Sequence, residues 1–274
     1  MSCLKAAGNH AQAVALAAQQ ASKRRGFRIP TSVVVPQNCP QKKIDAARAY
    51  GSTVHVCDPA PEARVNMAKS IHNSTGAVIV PPADHIDIVL GQATAISELL
   101  HQVEEMGNGG LDAVIVPSGG GGLLVGGVAA CKPRDVVVFG AEPAHGGPGL
   151  TEAIRCGKRT NRLENSHTIA DGLRTLTGDA NWEHLKSKEN VKDVFTTTED
   201  EIKNAMRLAA DDLGFIIEPS AAVALAVVVY NKFFHQTIAA QQKEMRIGVV
   251  LTGSNIDVRQ LKDLVPGIST EGLR

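Results

Sequence analysis

The chain has 274 residues, with 28 Lys and Arg against 28 Asp and Glu, and so carries no formal net charge. This balance excludes a strong overall field for nucleic acid or anionic membranes. The 3% aromatic content leaves few platforms for stacking single-stranded bases. The longest apolar run, residues 221–230, is far shorter than the roughly 20 residues that span a bilayer. We therefore expect neither a nucleic-acid partner nor a membrane partner.

The five cysteines are odd in number and irregularly spaced, and no signal-peptide pattern is visible. This cysteine pattern is typical of reduced thiols in a cytoplasmic protein. We therefore expect the chain to be cytoplasmic. The nine histidines show neither HExxH nor a pairing with cysteines at ligand spacing. The sequence therefore predicts no zinc site.

Helical and extended patterns alternate along the chain. Apolar residues on one helical face predict helices, and short β-branched runs predict strands. The predicted elements are helix 9–24, strand 31–36, helix 41–50, strand 53–57, helix 61–71, strand 77–80, helix 86–106, strand 111–116, a helix ending at Cys131, strand 136–141, a helix opened by the capping box of Thr198 and Glu201, helix 219–230 and strand 246–251. Such alternation favours an α/β fold, with parallel twisted sheets covered by helices on both faces.

Two features concern the organisation of the chain. Pro81 and Pro82 interrupt the pattern and predict a boundary between a smaller α/β domain, residues 6–80, and a larger one, residues 81–274. The sequence also starts almost directly at a helix, with no preceding strand longer than a few residues. We therefore expect that the first strand of a parallel sheet is missing.

The strongest functional signal is a run of four glycines, which joins a buried strand to a helix. The run and the residue after it are Gly119, Gly120, Gly121, Gly122 and Leu123. We expect the glycines to have no packing value, so that backbone N–H groups can converge on a phosphate at a helix N-terminus. The alternative is a flexible turn. Because neither a Walker A lysine nor an acidic ribose ligand follows, the phosphate belongs to a cofactor other than a nucleotide.

Two weaker signals lie elsewhere. Gly8, Asn9 and His10 open the first helix, and Asn9 is either an N-cap or a ligand contact. Thr252 follows the last predicted strand, at the sheet edge where ligands of open α/β folds bind. The alternative interpretation of Thr252 is a simple cap.

Taken together, these motifs resemble the fold-type II pyridoxal-phosphate enzymes, from Gly8 to about Asp257. The similarity is greatest to the serine racemases, hydroxyaspartate ammonia-lyases and threonine dehydratases. Further matching segments are GQAT at 91–94, AEP at 141–143, IADGLR at 169–174 and EPS at 218–220. The resemblance implies pyridoxal 5′-phosphate as cofactor, a small hydroxy amino acid as substrate, and a homodimer.

The resemblance also implies roles for individual residues. The tetraglycine run with Leu123 would hold the phosphate, Asn9 would bond the pyridine 3′ oxygen, and Thr252 would face the pyridine nitrogen. A hydroxyl stabilises a protonated ring less than a carboxylate does, which favours β-elimination over transamination. The substrate-binding residues that the resemblance implies are Gly8, His10, Arg64 and Gly172. Arg64 would grip the substrate carboxylate with two hydrogen bonds; its alternative is a solvated charge on a helix.

The sequence departs from the family pattern at three points. In the family, the Schiff-base lysine belongs to a segment before Gly8, and that segment is absent here. Lys5 matches no Schiff-base position. We therefore expect an N-terminally truncated form that lacks part of the larger sheet. Ala7 replaces a serine of the racemases, which favours ammonia elimination over racemisation. Glu142 matches one ligand of a racemase-type divalent cation site, but residues 145–148 offer no aspartate. We therefore expect no metal, and Glu142 would instead pair with a neighbouring donor.

The sequence leaves two functions open. The first is a dehydratase or ammonia-lyase that acts on serine, threonine or 3-hydroxyaspartate, with serine racemase activity as a possible accompaniment. The second is a catalytically inactive protein that binds pyridoxal phosphate or phosphate, because the phosphate motif is present and the anchoring lysine is not. A nucleotide-binding Rossmann protein is disfavoured, since the acidic ribose partner is lacking.

Overall fold

The structure, a computed structural model, describes residues 2–5, 8–39, 41–107, 109–147, 149–161 and 167–268. They form two compact units, Met1–Pro82 and Ala83–Arg274. Each unit contains a four-stranded sheet whose described strands pair in parallel. The α/β fold class with parallel sheets is confirmed.

The first unit alternates strands and helices. Its elements are β1 (Ser2–Lys5), α1 (Asn9–Arg25), β2 (Thr31–Pro36), α2 (Gln41–Ala49), β3 (Thr53–Cys57), α3 (Pro61–Thr75) and β4 (Val78–Val80). The strand order is β3-β2-β1-β4. The expectation of a missing strand before the first helix is wrong for this sheet, because β1 lies inside it. Four residues carry too little pattern to predict a strand, and pairing on both sides supplies what propensity does not.

Helices cover both faces of the first sheet. Successive residues of a strand point to opposite faces. Val33 packs with Ala11 of α1 and Ala47 of α2, whereas Val34 packs in the cluster that includes α3. Each face of this small unit is therefore apolar and covered.

The second unit is larger and holds the remaining elements. They are α4 (Ile86–Glu105), β5 (Ala113–Pro117), α5 (Gly122–Cys131), β6 (Val137–Pro143), α6 (Leu150–Cys156), α7 (Asp179–Leu185), β7 (Asp193–Thr197), α8 (Glu199–Asp211), α9 (Pro219–Tyr230), α10 (Lys232–Ala239), β8 (Ile247–Val249) and α11 (Val258–Leu264). The strand order is β7-β6-β5-β8. The capping box of Thr198 and Glu201 is confirmed at the start of α8. The sequence did not predict β7, α6, α7, α10 or α11.

The central strand β5 explains why this sheet is buried on both sides. Ala113 and Ile115 belong to the core beneath α8 and α9, whereas Val114 and Val116 belong to the core beneath α4 and α5. All four are fully buried. An uninterrupted apolar strand is what a parallel sheet between two helical layers requires.

Among the described residues, no single helix is long and apolar enough to cross a membrane. The pair α9 and α10 meets these criteria jointly, with a bend of 58° between the two helices. Residues 219–227 of α9 are buried in the core of the second unit.

Candidate functional site

The tetraglycine loop leaves β5 at the carboxyl edge of the larger sheet. The N–H of Ser118 donates to the carbonyl oxygen of Ala141 at 2.8 Å, which is the last bond to β6 before the loop. In the part of the chain that the structure describes, no hydrogen bond uses the N–H groups of residues 119–123. These groups stand at the positive end of α5, a position at which backbone N–H groups favour an anion. The hydroxyl of Ser118 is also buried without a described partner.

Two of the glycines are required by a close neighbour, Ala83. A Cβ on Gly120 would lie 2.6 Å from the Cβ of Ala83, and a Cβ on Gly122 would lie 2.9 Å from its carbonyl oxygen. Both distances are shorter than a Cβ atom can approach another carbon or a carbonyl oxygen without a shift of the backbone. The expectation that the glycines have no packing value is therefore wrong, because the loop fits tightly against the segment before α4.

The other two glycines are also constrained, although their nearest contacts are longer. Gly121 has a φ of +91°, a left-handed conformation, and a Cβ there would lie 3.0 Å from Cδ1 of Leu185. A Cβ on Gly119 would lie 3.2 Å from the carbonyl oxygen of Gly172. The alternative of a flexible turn does not fit these contacts. The same contacts bring Gly172, an expected substrate residue, beside the tetraglycine loop.

A residue that the sequence did not single out, Asn181, ties the loop down. Its Nδ2 donates to the carbonyl oxygens of Gly120, at 2.8 Å, and of Ala83, at 3.2 Å. Its backbone N–H donates to Oδ1 of Asp84 at 3.0 Å. Asn181 is 2% exposed. Three segments of the second unit therefore meet at this one side chain.

Further loops at this edge are joined by hydrogen bonds. The N–H of Gly172 donates to Oγ of Ser220 at 2.9 Å, near the start of α9. The N–H of Glu218 donates to the carbonyl oxygen of Gly253 at 3.0 Å. Thr252, the residue before Gly253, is exposed. The start of α9 therefore fixes the segments that carry two of the expected site residues, Gly172 and Thr252.

In the first unit, the Gly-Asn-His motif opens α1. Gly8 is the N-cap, with a φ of +68°, and Asn9 is the first helical residue. The interpretation of Asn9 as N-cap is therefore wrong. Nε2 of His10 lies 3.3 Å from the carbonyl oxygen of Val80. Burial lowers the pKa of His10, and the bond to Val80 opposes this shift in part, so the imidazole is neutral at pH 7.

Arg64 lies on α3 and is half-buried. Its charge acts on the thiol of Cys57: burial raises the pKa of Cys57, and the guanidinium opposes this shift. Arg64 therefore lies close to the end of β3, in the first unit.

Glu142 is a buried carboxylate at the end of β6. Its two oxygens accept the N–H groups of Leu150, at 2.8 Å, and of Thr151, at 2.7 Å. Burial raises the pKa of Glu142, and the hydrogen bonds from Thr151, Leu150 and Gly149 counteract this shift. Glu142 therefore supplies the acceptors for two N–H groups in the first turn of α6. Pro148, in the segment that offers no aspartate for a cation site, lies outside the described residues.

Comparisons with known proteins identify the class of protein that this fold and loop define. Residues 3–253 match the family described as pyridoxal-phosphate dependent enzyme. The chain is 38% identical to serine racemase of Homo sapiens over 254 residues, which cover 92% of this chain and 69% of that protein. It is 31% identical to L-threo-3-hydroxyaspartate ammonia-lyase of Pseudomonas over 268 residues, which cover 95% and 76%. The structure of maize serine racemase superimposes with a TM-score of 0.84 at 33% identity, covering 96% of this chain and 75% of that one.

The chain therefore belongs to the pyridoxal-phosphate dependent enzymes. The residues present fit this cofactor. The N–H groups of residues 119–123 have no described acceptor, and they lie at a helix N-terminus where a phosphate would bind. The loop is packed so closely that a Cβ at Gly120 or Gly122 would disturb it.

Proposed function

We propose that the chain is a pyridoxal-phosphate-dependent dehydratase or ammonia-lyase for a small hydroxy amino acid: serine, threonine or 3-hydroxyaspartate. The observation that carries this proposal is the tetraglycine loop with its five N–H groups directed to no described acceptor. The racemase and ammonia-lyase relatives support the substrate class. When bound, the cofactor supplies an electron sink for the bonds at the substrate Cα.

The chain's own residues would bind and orient the cofactor. The N–H groups of residues 119–123 hold the phosphate, and Asn9 donates to the oxygen on the pyridine ring. The hydroxyl of Thr252 contacts the ring nitrogen. Thr252 is exposed on a segment that Glu218 fixes through Gly253, and this supports its role. A neutral hydroxyl there favours elimination over transamination.

The substrate would bind through its carboxylate. Arg64 supplies a bidentate guanidinium, and Gly8, His10 and Gly172 complete the set. The neutral imidazole of His10 supports a positioning role, because its ring is already bonded to a carbonyl oxygen. Replacing Arg64 by Lys is expected to raise KM more than it lowers kcat.

Elimination is proposed over racemisation because of Ala7, which lies outside the described residues. Alanine carries no group that could return a proton to Cα. Replacing Ala7 by Ser, in a full-length form that also carries the Schiff-base lysine, should therefore increase D-serine formation from L-serine, measured by chiral chromatography. No gain in D-serine would contradict this interpretation.

A second candidate is a protein that binds pyridoxal phosphate or phosphate without turnover. It is favoured by the phosphate loop, which lies wholly within the second unit and needs no covalent bond to hold an anion. Incubation with pyridoxal phosphate and each of the three amino acids separates the candidates. Keto acid and ammonia indicate the enzyme, whereas saturable cofactor binding without product indicates the binding protein.

We also propose that the chain is a cytoplasmic homodimer with small-molecule partners. Cys57, Cys131 and Cys156 carry thiols rather than disulfides, which supports a reducing compartment. The homodimer is the assembly that the resemblance of the sequence to the fold-type II enzymes implies. Light scattering after size-exclusion chromatography should give twice the 28.8 kDa chain mass; the monomer mass would contradict the dimer.

A further inference from the structure

The carbonyl oxygen of Gly120 is held from the protein side by two donors. Nδ2 of Asn181 lies 2.8 Å away, and the N–H of Gly178 lies 3.1 Å away. In a planar trans peptide the C=O of one residue and the N–H of the next point in opposite directions. Anchoring the carbonyl of Gly120 therefore turns the N–H of Gly121 away from the protein body, where it has no described acceptor.

Asn181 also fixes the segment at Ala83, against which the tetraglycine loop packs. The second hydrogen of its amide reaches the carbonyl oxygen of Ala83 at 3.2 Å. Ala83 is the neighbour that a Cβ on Gly120 or Gly122 would strike. The side-chain amide of Asn181 thus sets the distance between the tetraglycine loop and Ala83. Both hydrogens of this amide donate to these two segments.

Asp84 in turn positions Asn181. The carboxylate of Asp84 accepts the N–H groups of Asn181, at 3.0 Å, and of Ala180, at 3.4 Å. These N–H groups belong to the first turn of α7 and have no acceptor within the helix itself. A negative charge is favourable at a helix N-terminus. The start of α7 is thereby attached to the segment that carries Ala83.

We propose that Asn181 and Asp84 are positioning residues that orient the tetraglycine loop for the phosphate of the cofactor. The name of this ligand rests on the proposed function; the orientation of the loop does not. Asn181 acts on the loop through the Gly120 carbonyl, and Asp84 acts through Asn181.

The first test follows the loop in the absence of any cofactor. The N–H of Val125 is bonded to the carbonyl oxygen of Gly121 at 2.9 Å, so its amide hydrogen exchange reports on the loop. Asn181→Ala should speed exchange at Val125 and at Gly178 while leaving β6 unchanged. The matched control is Asn190→Ala, which removes another side-chain bond to a carbonyl oxygen, that of His184 at 2.9 Å, and should leave both amides unchanged.

The second test measures binding of pyridoxal 5′-phosphate. Trp182 is the only tryptophan and directly follows Asn181, so its fluorescence can follow the titration. Losing two hydrogen bonds should raise the Kd about tenfold in Asn181→Ala, and Asp84→Ala should raise it about threefold. Asp84→Asn keeps an acceptor oxygen and should restore most of the affinity. Asn190→Ala should bind like the wild type.

The outcomes separate the two proposals. Unchanged exchange at Val125 and Gly178 in Asn181→Ala overturns the positioning role, and so does faster exchange spread evenly over the chain. If the wild type fails to bind pyridoxal phosphate while exchange at Val125 still rises in Asn181→Ala, the proposed function fails and the orientation of the loop by Asn181 stands. A Kd that is the same in Asn181→Ala and Asn190→Ala also overturns the role.

Discussion

Gly120 and Ala83 are packed so closely that a Cβ on the glycine would lie 2.6 Å from the Cβ of the alanine. Gly120→Ala should therefore displace the tetraglycine loop, since overpacking of this kind costs about 1–3 kcal/mol. We expect the affinity for pyridoxal phosphate to fall about tenfold or more, measured by titration of Trp182 fluorescence.

The matched control for Gly120→Ala is Gly127→Ala, inside α5. A Cβ there would lie 3.6 Å from Cγ2 of Val116 and 3.7 Å from Cγ1 of Ile96, which is ordinary contact. This variant should gain up to about 1 kcal/mol from helix propensity and bind the cofactor normally. Equal affinities of the two variants would show that the loop tolerates the extra carbon.

Glu142 should contribute to stability through α6. Glu142→Ala leaves the N–H groups of Leu150 and Thr151 without their acceptor, and each buried unsatisfied group costs about 1–3 kcal/mol. We expect a clearly lower midpoint of urea unfolding. Glu152→Ala, on the exposed face of the same helix, should keep the wild-type midpoint. A wild-type midpoint for Glu142→Ala would show that other donors or water replace the carboxylate.

His10 should make stability depend on pH. Burial lowers the pKa of His10 in the folded state, so below its ordinary value of about 6.5 the unfolded chain binds the proton more readily. The free energy of unfolding should thus be highest above that value and should fall as pH decreases toward the folded pKa. His10→Gln cannot titrate and should flatten this slope below about pH 6.5. An unchanged slope would remove His10 as its source.

Thiol reactivity should differ sharply between two cysteines. The hydrogen bond to Glu152 is the main reason why the pKa of Cys156 is raised, although this thiol is exposed. Glu152→Gln should therefore speed alkylation of Cys156 by iodoacetamide at mildly alkaline pH. Burial raises the pKa of Cys131 to about 11, and its labelling should stay slowest in the native protein. No change at Cys156 would contradict control by Glu152.

Much of the fold was predictable because the signals are local. The apolar runs of β5 and β6 and the helical spacing of α8 all act within a few residues. Short elements escaped prediction for the same reason: α6, α7 and α11 have seven residues each, too few to establish a helical period. The strand β1 is stabilised by its two neighbours rather than by its own composition.

The candidate site was predictable only in part. The glycine run predicts a phosphate site, which stays a prediction. The packing reason for each glycine depends on Ala83, Gly172 and Leu185, which are distant in sequence. The bond between Asn181 and Asp84 spans 97 positions. No periodicity or motif records such a contact, so a search of the sequence passes over Asn181.

The most direct test of cofactor-dependent elimination is product formation by purified wild-type, Gly120→Ala and Gly127→Ala chains, supplied with pyridoxal phosphate and serine, threonine or 3-hydroxyaspartate. The wild type and Gly127→Ala should form the same amount of product, with one keto acid for each ammonia. Gly120→Ala should form less product, in proportion to its lower affinity for the cofactor. Binding of pyridoxal phosphate by the wild type without product from any of the three amino acids would contradict the proposed activity.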